Sequence, residues 1–174
     1  MLLLTGEEFD ERIRACESEA FHLELQDEYG TTDGIAPFAA WQRGESDDYA
    51  WFTGWLELIR DMRGRGVAVK RARVVTVPHT LYTRWLLEVT EQNIRAGEDI
   101  RYLPRDQVDP TRLTTDDWWL FDDHTVAFTA FAADGTLGGG AITTDPLIVA
   151  RCRQVRDYTW DLGVPYPEYL HGVR

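Results

Sequence analysis

Hydrophobic and polar positions change their spacing several times along this chain, and each change predicts an element. Thr5 and Glu8 form a Thr-x-x-Glu capping box, and Phe9, Ile13 and Cys16 then fall on one helical face. Residues 20–25 alternate, with Phe21, Leu23 and Leu25 on one side and His22 and Glu24 on the other, which predicts a half-buried strand. Residues 27–34 are rich in turn formers. Pro37 to Gln42 predicts a short helix, and Ser46 to Asp48 supply an N-cap for a second one. Trp51, Trp55, Leu58, Ile59 and Met62 form the stripe of that second helix, and Gly64 and Gly66 end it.

Val67 to Val77 is a valine-rich strand closed by Pro78, in which Arg71 and Arg73 alternate with Ala72 and Val74. Leu81 to Ala96 reads as a helix, with Leu81, Trp85 and Val89 spaced by four and Gly97 as the stop. Ile100 to Leu103 is a short strand, and Asp109-Pro110 lies in a loop. Three further strands follow at Trp118–Phe121, Val126–Phe131 and Leu137–Thr143, the last two joined by an Ala133-Asp134-Gly135 turn. Gly138, Gly139 and Gly140 mark a bulge or a close approach of backbone. Thr144 is the expected N-cap of a helix that opens at Asp145-Pro146 and is stopped by Gly163 and Pro165. Strands and helices intermix, so the expected fold is α/β or α+β: one domain over 1–174, with a mixed β-sheet flanked by helices and a C-terminal β-hairpin region followed by a helix.

Charge refines this picture. The chain has 174 residues and a formal net charge of −12. Generic attraction to phosphate backbones or anionic lipid normally needs a basic face, so direct nucleic-acid binding and membrane binding are not expected. The charge is uneven. Residues 1–59 hold 14 acids and 3 bases, whereas residues 60–112 hold 7 acids and 11 bases. The basic stretch opens with Arg60, Arg63, Arg65, Lys70, Arg71 and Arg73. It reads either as an anion- or partner-binding surface, or as a solvated helix end followed by a strand whose arginines face water. Two cysteines, Cys16 and Cys152, are too few for a disulfide framework, and no signal peptide or membrane-length apolar run is present. A cytoplasmic protein is expected, with one cysteine pair left open. Seven Trp exceed what one small core usually takes, so a homo-oligomer competes with simple core burial as their explanation.

Familiar catalytic patterns are missing. There is no Gly-x-Gly-x-x-Gly after a strand, no Gly-Lys-Ser/Thr loop, no Cys-x-x-Cys and no Gly-x-Ser-x-Gly, and the four His are far apart in sequence. No cofactor and no metal are expected. Three constellations remain. Trp118 to His124 places Asp122 and Asp123 beside a histidine, where the pair is either cation or acid–base chemistry or an ordinary turn. Glu98 and Asp99 follow the Gly97 helix stop, with Arg as their expected partners. Pro78-His79-Thr80-Leu81-Tyr82 with Arg84 and Trp85 lies between a strand and a helix, where α/β proteins often bind ligands. A ligand site would draw on Arg73, His79, Tyr82, Arg84, Arg101, Trp118, Asp122 and Asp123.

Several of these segments form a wider pattern. Arg73-Val-Val-Thr-Val-Pro78, Tyr82-Thr-Arg-Trp85, Asn93-Ile-Arg-Ala-Gly97-Glu98-Asp99-Ile100-Arg101, Asp117-Trp-Trp-Leu-Phe121-Asp122-Asp123, Thr144-Asp145-Pro146 and Val164-Pro165-Tyr166 resemble an actinobacterial family of uncharacterised proteins, a domain of unknown function. The likeness runs from about Leu4 to Leu170. Members of that family are typically encoded beside helix-turn-helix regulators, so the resemblance implies a role linked to transcription regulation and transfers no catalytic residue. The order of elements is also similar to that of phospholipase-D-like sensor domains. Their catalytic His-x-Lys motif is absent, since no His precedes Lys70 at that spacing, which implies a non-catalytic version. The expected function is therefore a non-enzymatic regulatory or sensor protein acting through a basic partner such as a helix-turn-helix regulator. The alternative is a small-ligand-binding protein or enzyme with a pocket around residues 73–101 and the Trp118–Asp123 segment.

Overall fold

The computed structural model describes residues 2–30, 32–131 and 137–172. Eight strands form one mixed sheet: β1 (Leu2–Leu4), β2 (Glu19–Glu24), β3 (Ala68–Val75), β4 (Asp99–Pro104), β5 (Trp118–Phe121), β6 (Thr125–Phe131), β7 (Leu137–Thr143) and β8 (Val164–Pro165). Their spatial order is β1-β7-β6-β5-β2-β3-β4-β8. β2, β3 and β4 run parallel, and the remaining pairs are antiparallel. The six helices are α1 (Gly6–Arg14), α2 (Thr32–Gln42), α3 (Thr53–Gly64), α4 (Leu81–Ala96), α5 (Pro146–Leu162) and α6 (Tyr166–Gly172). The mixed sheet with flanking helices and a final strand and helix is the fold class the sequence predicts.

Local chemistry explains most boundaries. The Thr5–Glu8 box closes as expected, with the Glu8 amide donating to Thr5 Oγ1 and the Thr5 amide donating to Glu8 at 2.7 Å. Thr80 accepts from the Thr83 amide to open α4, and Gly97 ends it at φ 108°, a conformation that glycine adopts without a Cβ clash. Gly139 (φ 126°) and Gly140 lie where β1 and α1 cross β7; a Cβ on them would stand 2.3 Å from the Leu4 carbonyl oxygen and 2.6 Å from the Phe9 ring. The glycine run is thus a close-approach site. The 133–135 turn falls outside the described residues.

Several boundaries differ from expectation. Asp145, not Thr144, caps α5, because its carboxylate reaches both the Leu147 and Ile148 amides. Asp47 and Asp48 cap a tight loop at Tyr49 and Ala50, so α3 begins only at Thr53 after a 3₁₀ turn over Ala50–Phe52. α2 begins at Thr32 rather than at Pro37. β1 and β8 are too short to show a period of two and exist because a neighbouring strand pairs them.

Helices cover both sides of the sheet. α1 and α3 bury Phe9, Ile13, Ile59 and Met62 against Val69, Trp119 and Phe121. α5 buries Val149, Cys152 and Val155 against Phe21, Leu23, Ala72, Val74, Trp118 and Leu120. α6 closes the β4 edge with Tyr166 and Tyr169 on Ile100 and Tyr102. Cys16 and Cys152 are both buried and free, and they lie on opposite sides of the sheet, so they do not form a disulfide.

The largest correction concerns β2 and β3. Strand 20–25 is not half-buried, because Phe21 to Glu24 are buried on both faces. Arg71 and Arg73 do not face water but are 7% and 6% exposed. Their parallel pairing with β2 sets Arg71 beside His22 and Arg73 beside Glu24, under the helices.

Candidate functional site

One side of the three parallel strands carries an internal ion cluster. Glu24 accepts from Nη1 of Arg71 and from Nε of Arg73. Arg71 Nε also donates to Glu98 at 2.6 Å, and Glu98 accepts from Asn93 Nδ2 at 2.6 Å. Arg73 Nη1 donates to Thr90 Oγ1 at 2.6 Å and to the Tyr102 hydroxyl at 2.9 Å. Two guanidinium groups therefore meet two carboxylates, and the cluster is formally neutral. Burial alone would push Glu24 up, but Arg71 and Arg73 hold it well below the usual carboxylate range. Burial opposes the charge of Arg73 too, and Glu24 more than reverses this.

Aromatic rings wall the cluster. The Arg71 guanidinium lies 5.7 Å from the Trp55 ring and 5.8 Å from the Trp119 ring. His22 stacks on Trp119 with centroids 4.2 Å apart and planes at 12°. Neither His22 ring nitrogen has a hydrogen-bond partner among the described residues, although Nδ1 lies 3.4 Å from Glu24. Burial, then the Arg71 charge, depresses the His22 pKa to about 3, so the imidazole is neutral at ordinary pH.

The carboxyl ends of the parallel strands form a second polar group. Asp27 accepts from the Thr76 amide and hydroxyl, both at 2.7 Å. Arg105 reaches across to the carbonyls of Leu25 (2.6 Å) and Val74 (3.0 Å). Asp117 accepts from the Leu25 amide at 2.8 Å and from the Tyr29 hydroxyl at 2.6 Å. Burial raises its pKa to about 6 against the lowering by these hydrogen bonds. His79 Nδ1 donates to the Thr76 carbonyl (3.0 Å), and Nε2 lies 3.0 Å from the Tyr169 hydroxyl. A shallow depression of about 290 Å³ lies here, lined by Thr76, Val77, Arg105 and Asp106.

At the opposite end, on the α5 side, a cleft of about 460 Å³ is lined by Glu19, Phe21, Lys70, Arg156, Asp157, Trp160 and Asp161. Lys70 pairs with Glu19 at 2.6 Å, and Arg156 pairs with Asp123 at 2.6 Å and with Asp157 at 2.9 Å. Arg101 lies 4.1 Å from the Trp160 ring centre and donates to the Trp160 carbonyl at 2.8 Å.

The expected site residues are thus dispersed. Arg73 is in the ion cluster. Arg101 and Trp118 are on the other side of the sheet, and Trp118 is fully buried against Phe21. His79 joins α6 to the end of β3, Tyr82 is buried in an aromatic cluster, and Arg84 is exposed on α4. Asp122 and Asp123 form a turn at φ 49° and 64°. Asp122 accepts from the amides of Glu17 and Ser18 and from the Ser18 hydroxyl. These bonds outweigh burial and lower its pKa to about 2. Asp123 pairs with Arg153 and Arg156. Arg73, Arg101 and Asp122 do not converge on one cavity. Glu98 does find its expected arginine, Arg71. Sequence reasoning missed His22 and Glu24. Their only signal is that two polar residues alternate on one strand opposite two arginines on another. Among the described residues no group of three or more His, Cys, Asp or Glu could hold a metal ion, and no helix is long and apolar enough to cross a membrane.

The chain belongs to the family described as "Domain of unknown function (DUF6879)", whose model matches residues 7–171. No curated protein matches it by sequence. Solved structures share its fold, two of them as follows. A phospholipase D family member, Nuc from Salmonella typhimurium, aligns with a TM-score of 0.56 at 11% identity, over 90% of this chain and 87% of that one. TrmBL2, an archaeal chromatin protein with a novel mode of DNA binding, aligns with a TM-score of 0.51 at 13% identity. That match spans 93% of this chain and 52% of TrmBL2, so the chain covers about half the length of the chromatin protein.

Proposed function

We propose that this member of the family is a non-enzymatic regulatory or sensor module that acts by binding a basic protein partner, such as a DNA-binding regulator. The observation that carries this reading is how the charge is distributed once internal pairs are set aside. Two bases of the basic stretch are spent internally: Arg71 and Arg73 are neutralised by Glu24 and Glu98. Lys70 pairs with Glu19, and Arg65 with Asp61. The acids of the N-terminal third, by contrast, point outward, with Glu7, Asp10, Glu11, Glu17, Asp48 and Glu57 exposed. Such a surface steers basic proteins toward it and phosphate backbones away. The two carboxylates of the internal cluster, Glu24 and Glu98, are held in ion pairs. The fold it shares with a DNA-binding chromatin protein is consistent with a place in a regulatory assembly.

The test is titration of the purified chain with the regulator encoded nearest to its gene, at low and high ionic strength, beside a duplex DNA control. Association that weakens steeply with salt, with no binding of DNA by the chain alone, is the expected result. No association at low salt, or DNA binding by the chain alone, overturns the reading. A second reading, a small-ligand-binding protein, rests on the cleft that exposes Lys70 and Arg156 beside Trp160. A metabolite screen by thermal shift checks it, with the shift lost in Lys70→Ala.

A further inference from the structure

We infer that the aromatic cluster over the start of α4 is the docking surface for an arginine-rich segment of the partner protein, an inference that rests on the basic-partner reading above. Tyr82 and Trp85 are buried there, at 7% and 2% exposure, and form a floor. Phe38, Trp41, Tyr49 and Trp51 lie half-buried above it. Phe38 packs on Trp85 at 5.4 Å and stacks on Trp41 at 6.2 Å, and Trp51 stacks on Trp85 at 5.8 Å. The rings therefore form a continuous, rigid and partly open surface.

Carboxylates rim this surface. Asp47 accepts from the Trp51 indole N–H at 2.9 Å and from the Tyr49 amide at 2.7 Å, which fixes Tyr49 in the left-handed region at φ 57°. Asp47, Glu88 and Glu91 all bear on the Tyr49 phenol, and Arg95, paired with Glu91 at 2.5 Å, is the rim cation. Half-open rings with acids at their edge suit a cation that stacks flat and also donates hydrogen bonds, which is what a guanidinium does and an ammonium does less well.

The chain itself uses this chemistry with four arginines, one of them Arg73, which lies 5.8 Å from the Tyr102 ring centre while bound to Glu24. Arg71 lies against both Trp55 and Trp119 while bound to Glu24. Arg101 covers Trp160, and Arg112 lies 3.6 Å from the Tyr158 ring centre. Among the described residues no arginine or lysine lies over Phe38, Trp41, Tyr49 or Trp51. Rings and acids are in place there, and the partner brings the arginine.

The experiment is fluorescence anisotropy of a labelled nona-arginine peptide, and of nona-lysine, against the whole chain at low ionic strength. The chain is compared with Glu88→Gln/Glu91→Gln at the patch, Trp41→Ala on it, and Glu7→Gln/Glu11→Gln on α1. The charge variants lie on exposed helix positions and leave the core intact. Nona-arginine is expected to bind about fivefold more tightly than nona-lysine, and the two patch variants to weaken it about fivefold each. The α1 variant is expected to stay within about twofold of the unmodified chain. Equal losses from α1 and patch variants, or equal affinity for both peptides, would overturn the patch and leave the basic-partner reading standing. Failure of both peptides to bind at low salt would overturn both.

Discussion

The two sides of the central strands solve one packing problem in opposite ways. On the α5 side, β2 and β3 present Phe21, Leu23, Ala72 and Val74, which meet Trp118, Leu120 and Val155 in an apolar core. On the α4 side the same strands present His22, Glu24, Arg71 and Arg73, equally buried and joined by ion pairs and ring contacts. The first side derives stability from apolar area removed from water and tolerates a change of shape. The second sets desolvation against pairing, so its net worth is small while every member depends on the others. Burial by itself does not distinguish them. What differs is the cost of removing one residue without its partner.

Adjacent residues of β2 test this most sharply. Glu24→Ala leaves Arg71 and Arg73 buried without their shared carboxylate and is expected to cost about 3–5 kcal/mol in urea unfolding. Replacing Glu24, Arg71 and Arg73 together by apolar residues of similar volume is expected to recover most of that loss. If the triple variant is no better than the single one, the cluster is worth more than break-even and the contrast fails. Leu23→Ala, on the other side, is expected to cost about 3 kcal/mol through its cavity, and Leu23→Met under about 1.5 kcal/mol.

Acid titration separates two buried groups whose effects oppose each other. The His22 pKa falls from 6.5 to about 3 on folding, so its contribution is complete above about pH 6.5 and is lost as pH drops toward 3. The Asp117 pKa rises from 3.8 to about 6, so it favours the fold at acid pH and weakens it as pH climbs through that window. His22→Phe is expected to flatten the acid loss of stability, and Asp117→Asn to steepen it. Either slope is bounded by about 1.4 kcal/mol per pH unit, and urea midpoints from pH 7 to pH 4 measure it. A His22→Phe chain that keeps the parent slope would show that the imidazole is charged in the fold. The smallest expected effect is Thr80→Ala, about 1 kcal/mol from the lost cap of α4, read by thermal unfolding.

Legibility followed the reach of the interactions involved. α4 was predicted to the residue because the Leu81-Trp85-Val89 spacing and the Gly97 stop both act within a few helical turns. β5 and β7 were predicted with the limits they have, β5 from its apolar run and β7 from the turn that precedes it. The Asp122–Asp123 turn was legible as one of two readings, and its positive φ values make it a turn. The ion cluster was not legible. Arg71 alternating with Ala72 carries the signature of a solvent-facing arginine, and nothing within ten residues reveals Glu24 or Glu98. The aromatic patch was hidden in the same way, because Phe38, Trp51 and Trp85 come from three separate segments.

The sequence by itself determined the fold class, the limits of its longest elements, the acidic surface and the family pattern, because each of these depends on spacing, composition or local capping. Only the tertiary structure decided that Arg71 and Arg73 of the basic stretch are internal, that Cys16 and Cys152 lie on opposite sides of the sheet, and that the candidate residues are dispersed. Those facts depend on which strand lies beside which and in what register. The parallel pairing that sets Glu24 beside Arg73 joins positions 49 residues apart, and no local pattern encodes it.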